Sequence, residues 1–239
     1  MKKFYSKLSA LGAVLALGTA FASADQITLG SYGSTGPVLA GVSNTALNFA
    51  SDTTGVSVGS GATSDLNPEG IWTAADTSFA GSNWVSFNAC TQPLSSCAGV
   101  IGSQFAPNGT YVYTTTFTAI AGETYTGTFN VMADDTVDVS INGVQFITDS
   151  ASTSNNDTMC ESSQPNCTQV ETVPWSFVGA ASGTNTLTFD VEQVGSQSTG
   201  VDFDAQINGS AATPEPSTLM LLGTGLVGAA GTLFRRKRA

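Results

Sequence analysis

The side chains able to do acid–base or metal chemistry in this chain are almost all carboxylates. From Asp25 to Thr213 there are 17 Asp and Glu residues and no Lys, Arg or His. That composition removes Ser–His–Asp triads, Schiff-base lysines, arginine clamps and His-based metal sites. Two-carboxylate glycoside hydrolysis survives the filter, with Glu123, Asp134 and Asp135 as its candidates. Each of these sits in a turn-like stretch between alternating runs, where carboxylates are usually solvated. The expectation is therefore a non-enzymatic protein, with a secreted carboxylate-dependent glycoside hydrolase as the alternative. A stretch of formal charge −17 must also manage self-repulsion, and a hard cation such as Ca²⁺ binds carboxylate and carbonyl oxygens. Asp134 and Asp135 are adjacent and form the leading metal site. Asp138 is a weaker ligand because it should project from a strand, and screening by salt alone is the rival to any specific site. Asp202 and Asp204 alternate with Val201 and Phe203 and share one strand face; they could bind a hard cation, but such pairs are expected to meet water.

The same lack of cations excludes nucleic acid as a partner, because phosphate neutralisation needs Lys or Arg. It also disfavours anionic polymers and lipid headgroups. Cations and neutral polymers remain. Trp72, Trp84 and Trp175 have the rings to stack on sugars, but two of the three are expected as buried anchors.

Four cysteines, Cys90, Cys97, Cys160 and Cys167, fall in two near pairs, each enclosing six residues. Three pairings are formally open. The equal spacings and the proline in each loop favour 90–97 with 160–167, each worth about 2.5 kcal/mol by chain entropy. Zinc is the rival, weakened by the absence of His and of a CxxC spacing.

The elements that must position these groups read as strands. Tyr111, Tyr113, Thr115 and Phe117 share one face, opposite Val112, Thr114, Thr116 and Thr118. Tyr125, Gly127, Phe129 and Val131 repeat the pattern, followed by Val137, Val139 and Ile141. Asn142-Gly143 is a hairpin signal, and 143–148 returns the chain. Leu187, Phe189 and Val191 alternate with Thr188, Asp190 and Glu192, and Val201, Phe203, Ala205 and Ile207 close the series. No helical period is sustained and no fixed repeat occurs. The fold class is all-β: a single antiparallel β-sandwich of jelly-roll type, spanning 25–212.

The ends carry addresses. Lys2, Lys3 and Lys7, then the apolar run 8–21, then Ala22-Ser23-Ala24, form the three-part pattern of a signal peptide over 1–24, with cleavage expected before Asp25; an ordinary N-terminal helix is the alternative. Pro214 and Pro216 fix φ and remove donors, so no regular element crosses that junction. An uncharged run follows, and 217–234 is long enough to span a bilayer as a helix. Arg235, Arg236, Lys237 and Arg238 place its far end in the cytoplasm. Gly225 and Ala229 have a small-xxx-small spacing, which weighs little in a glycine-rich tail.

Pro214-Glu215-Pro216-Ser217-Thr218, the Leu-rich run and the terminal Arg-Arg-Lys-Arg together resemble the PEP-CTERM sorting domain, over 213–239. The resemblance implies an exosortase as partner, Pro214, Glu215 and Pro216 as its recognition motif, and a host that makes exopolysaccharide. A permanent single-pass anchor is the rival reading. The stretch Ala133–Val144, with Gly183-Thr184-Asn185-Thr186-Leu187 and Ser82-Asn83-Trp84-Val85-Ser86, resembles galactose-binding-domain-like jelly rolls. The combined expectation is an exported protein, anchored in the inner membrane through its C-terminal helix before processing. It then passes to the cell surface or the exopolysaccharide matrix of a biofilm, where it contacts extracellular polysaccharide.

Overall fold

Alternation of large apolar and small polar residues gives eleven strands among the described residues. The computed structural model describes residues 25–32, 43–54, 61–66, 72–74, 78, 81–87, 106–148, 165–195, 198–210, 223 and 225–226. The strands are β1 (Gln26–Gly30), β2 (Ser43–Asp52), β3 (Gly61–Leu66), β4 (Trp84–Ser86), β5 (Gly109–Thr118), β6 (Thr124–Asp134), β7 (Thr136–Ile141), β8 (Val144–Ile147), β9 (Glu171–Val178), β10 (Thr184–Gln193) and β11 (Gly200–Gly209). All eleven lie within one compact unit, Gln26–Ser210.

Hydrogen bonding runs in one path, β8-β7-β10-β5-β2-β3-β4-β11-β6-β9, with β1 added on β11. Every pairing is antiparallel. One edge of β11 is shared end to end: Val201 pairs with Val85 of β4, while Asp204–Asn208 pair with β1. The path folds into two layers. Phe189 on β10 lies 4.7 Å from Phe203 on β11 and 6.2 Å from Phe129 on β6, measured between ring centroids. These strands are not hydrogen-bonded neighbours, so the rings meet between the two facing layers of the sandwich. Phe146 on β8 stacks on Trp175 of β9 at 5.3 Å and 18°, joining the two terminal strands of the path. The core is buried as the alternation requires: Tyr111, Tyr113, Tyr125, Phe129, Val137, Val139, Leu187, Phe189, Val191, Phe203 and Ile207 are essentially inaccessible.

The all-β antiparallel sandwich of jelly-roll type is the fold observed. The Asn142-Gly143 turn joins β7 to β8 with φ of +50° and +79°, the two positive values that a tight hairpin turn of the primed type demands. Among the described residues no helix is long and apolar enough to cross a membrane. Residues 223, 225 and 226 are helical. The rest of the 217–234 helix, Ala229, the 1–24 leader and Pro214, Glu215 and Pro216 lie outside the described residues.

Candidate functional site

The loops meet where β6 ends and β7 begins, and there the sequence places its adjacent carboxylates. Asp134 closes β6, and a cis peptide joins it to Asp135. Both were expected in a solvated turn; both are instead buried, with 7% and 6% of their surface exposed. Three segments distant in sequence cover them. Trp72 donates its indole N–H to Asp134 Oδ2 at 2.5 Å. Thr199 donates its hydroxyl to the Asp134 carbonyl at 3.1 Å. The backbone N–H of Val194 donates to Asp135 Oδ2 at 2.5 Å, and Asp135 N–H donates to the Glu192 carbonyl at 2.9 Å. Burying a carboxylate costs several kcal/mol unless donors replace its water, and these donors are the replacement.

The cover is itself built in. Trp72 packs on Trp84 with centroids 4.2 Å apart, and Trp84 donates to the Thr73 carbonyl. Thr73 N–H donates to the carbonyl of Cys167 at 2.9 Å, which brings the loop of residues 165–170 against the pair. Gly200 faces Trp72 so closely that a Cβ would come within 3.0 Å of the ring. Trp72, Trp84, Met132 and Cys167 form a small core cluster separate from the main one.

The other candidate residues fall as follows. Glu123 precedes β6 and Asp134 ends it, so the 11 residues of that strand separate them, on the order of 30 Å. A glycosidase pair needs carboxyls within about 10 Å, so Glu123 cannot work with Asp134 or Asp135. Asp202 and Asp204 do not meet water as expected; they are 1% and 0% exposed. Ser31 Oγ lies 2.9 Å from Asp202 Oδ1. Asp204 Oδ1 accepts from Asn130 Nδ2 at 2.8 Å, and Asn130 Oδ1 accepts from Thr172 Oγ1 at 2.8 Å. These three residues stand directly opposite one another on β11, β6 and β9, so the relay ties three strands together. All three tryptophans are buried, one more than expected, and none is a platform for a sugar ring. Cys167 is disulfide-bonded; Cys90, Cys97 and Cys160 lie outside the described residues.

A metal at the acidic pair would find oxygen donors. Those the structure places at the pair are the two carboxylates themselves, already accepting from Trp72 and Val194. Among the described residues no group of three or more Asp, Glu, His or Cys side chains is arranged to hold an ion, so Asp134 and Asp135 would need amide, carbonyl or water oxygens beside them. That donor chemistry suits Ca²⁺.

The outer face of β7, β10 and β5 carries a different pattern, a grid of hydroxyls. Thr114 faces Thr188, Thr116 faces Thr186 and Thr118 faces Thr184. Ser140 extends the first row on β7, and Asn48 extends it on β2. All of these are exposed or half-buried. Strands lie about 4.8 Å apart and successive rows about 6.7 Å apart, and no charge falls in these rows.

Comparison with known proteins bears on the C-terminal end of the chain. No curated protein sequence matches this one. Among solved structures, the chain resembles a family 35 carbohydrate-binding module from Paenibacillus barcinonensis (13% identity, 78% of this chain and 99% of that one, TM-score 0.31). It also resembles a family 35 module from an environmental isolate (16%, 69% and 100%, TM-score 0.28). A third is the PA14 domain of the antifreeze protein MpAFP (17%, 82% and 85%, TM-score 0.28). The family model for the PEP-CTERM protein-sorting motif matches residues 212–238. This chain therefore carries a PEP-CTERM protein-sorting motif, the mark of an exported exosortase substrate held by a C-terminal anchor before processing.

Proposed function

We propose that the protein acts at the cell surface or in the exopolysaccharide matrix as a non-catalytic β-sandwich, holding neutral polysaccharide through the threonine grid on β5 and β10. The sorting motif at residues 212–238 is the observation that carries this reading. It delivers the domain to the outside of a cell envelope, where polysaccharide is the abundant polymer. The grid supports the neutral half of the proposal: three cross-strand threonine pairs offer donors and acceptors without charge, in a domain with no cation to attract an anionic chain. The wide separation of Glu123 from Asp134 and Asp135 supports the non-catalytic half.

Two further readings accompany it. Cys160 pairs with Cys167 and Cys90 with Cys97, each holding a surface loop; non-reducing peptide mapping that finds a 90–167 link overturns this. Asp134 and Asp135 bind Ca²⁺. The test of function is a screen of the purified mature protein against neutral and anionic polysaccharides. Retention by neutral polymers without product release, weakened by Thr116→Glu with Thr186→Glu, is the expected result. Release of reducing sugar, or retention by anionic polymers alone, defeats the proposal.

A further inference from the structure

Among the described residues three large apolar side chains are well exposed: Ile120 and Val178 at 57% and Val144 at 68%. Such residues scattered singly call for no explanation, but these three share one end of the sandwich. Ile120 lies in the turn between β5 and β6. Val178 closes β9 opposite Thr124, the first residue of β6, and Val144 opens β8 just after the Asn142-Gly143 turn. Hydrogen bonds lace the turns at this end into one surface. Gly122 N–H donates to the Gly179 carbonyl, Gly179 N–H to the Glu123 carbonyl and Ala119 N–H to the Gly183 carbonyl, each at 2.9 Å. Asn185 Oδ1 accepts from Ala180 N–H at 2.9 Å and from Asn142 Nδ2 at 3.0 Å, so one side chain joins the β7–β8 turn to the β9–β10 turn.

We propose that this end of the sandwich seats on the outer face of the bilayer, so that before processing the domain stands on the membrane by Ile120, Val144 and Val178. The inference rests on the C-terminal anchor that the sorting motif marks. β11 brings the chain out at the same end: Gly209 pairs with Tyr125, and Ser210 N–H donates to the Thr124 carbonyl. Residues 211–216 are all that separate Ser210 from the uncharged run beginning at Ser217. Fully extended, that tether reaches about 25 Å, which keeps this end of the domain near the bilayer. A second copy of the chain is a poor occupant, because two tails inserted side by side in one membrane cannot bring these two ends against each other.

Charge selects the same end. Among the described residues the carboxylates here are Asp25, which precedes β1, and Glu123. Asp52, Asp134, Asp135, Glu171 and Glu192 all lie toward the opposite end. Anionic headgroups repel that acidic end and leave the nearly uncharged one to approach. Its aliphatic side chains then exchange water for the boundary between headgroups and acyl chains. Three such side chains make a weak contact by themselves. The tether makes the contact intramolecular, at an effective concentration in roughly the millimolar range, which a weak contact needs. Cutting the tail removes that advantage, so the seat is lost in the same step that frees the domain.

The experiment is amide hydrogen exchange on the protein with its tail inserted in nanodiscs of phosphatidylcholine and phosphatidylglycerol. Wild type is compared with a variant combining Ile120→Ser, Val144→Thr and Val178→Thr, all exposed positions whose replacement leaves the core packing in place. Exchange over 119–123, 142–145 and 179–183 should be slower in wild type by about fourfold, the factor for a seat occupied about three-quarters of the time. Residues 134–136 and 192–195, at the other end, should exchange equally in both. Equal exchange of wild type and variant at the three turns overturns the proposal, as does slowing at 134–136 instead. Slowing confined to discs that hold two chains assigns the face to a second copy and overturns it too. A protein that does not stay with the discs sinks the anchor and the seat together, whereas a retained protein with unprotected turns sinks the seat alone. A second reading uses the unaltered protein: with a gadolinium-bearing lipid in the disc, the amide signals of 119–123 and 179–183 should broaden well ahead of 134–136. Equal broadening at the two ends overturns the proposal as well.

Discussion

The indole N–H of Trp72 donates to the carboxylate of Asp134, 62 residues later in the chain, and this bond closes the end of the sandwich where three loops converge. Replacing Trp72 by Phe keeps most of the packing on Trp84 but leaves a buried carboxylate oxygen short of a donor. A lost hydrogen bond to a charged, buried acceptor costs about 1.5–3 kcal/mol. Urea unfolding of Trp72→Phe should show a lower midpoint with an unchanged slope. An unaltered midpoint would mean that Asp134 is satisfied without the indole.

Gly127 lies in β6 where β11 runs closest. A Cβ placed there would stand 1.9 Å from the Gln206 carbonyl oxygen and 2.7 Å from the Ile207 Cα, and both are backbone atoms of the neighbouring strand that cannot swing away. Gly127→Ala should therefore pry β6 from β11 and cost more than the roughly 1 kcal/mol of an average substitution. Gly143→Ala is the contrast. Its Cβ meets open space, and it carries only the penalty of an alanine at φ of +79°, about 1 kcal/mol. Equal losses in the two variants would contradict the close approach.

How much of this was legible in the sequence depended on how local the information was. β5 and β10 announce themselves through Tyr111, Tyr113 and Phe117, and through Leu187, Phe189 and Val191, because period-2 burial is written along a single strand. β9 does not, although Val173, Trp175 and Phe177 alternate in it. Pro174 interrupts the run, and a proline demotes a strand reading. The structure places β9 at the end of the sheet path, paired with β6, and edge strands are where sheets tolerate proline. The carboxylates show the same limit. Asp134-Asp135 reads as a turn, and turns are normally wet; its burial comes from Trp72, Val194 and Thr199, whose approach no local spacing encodes.

The sorting motif predicts behaviour in a cell. Deleting 213–239 should release the protein to periplasm or medium. Replacing Pro214, Glu215 and Pro216 by Ala should leave the tail inserted and block maturation, seen as accumulation of the longer, membrane-associated form in a native host. Identical processing of wild type and the triple variant would make the tail a permanent anchor instead. Fractionation followed by mass measurement of the mature form distinguishes these outcomes.

Calcium gives the most demanding prediction, because it must act at a named place. If Ca²⁺ binds the oxygen donors at Asp134 and Asp135, millimolar Ca²⁺, on the order of the affinities of extracellular sites, should raise Tm above the value in chelator. Ligand binding to the folded state alone stabilises by mass action, by about 2.7 kcal/mol at a hundred times the Kd. NaCl at matched ionic strength should not reproduce the shift, since it only screens the 17 acids of the domain. Asp134→Asn with Asp135→Asn should abolish it. Trp72 supplies an independent reporter: its indole donates to Asp134 and stacks on Trp84, so an ion at that carboxylate should alter the near-ultraviolet dichroism of the indole pair at concentrations that also move Tm. Stabilisation equal in the two salts, with the indole signal unchanged, would mean that screening alone relieves the charge and that the buried carboxylates are held by their hydrogen bonds without a metal.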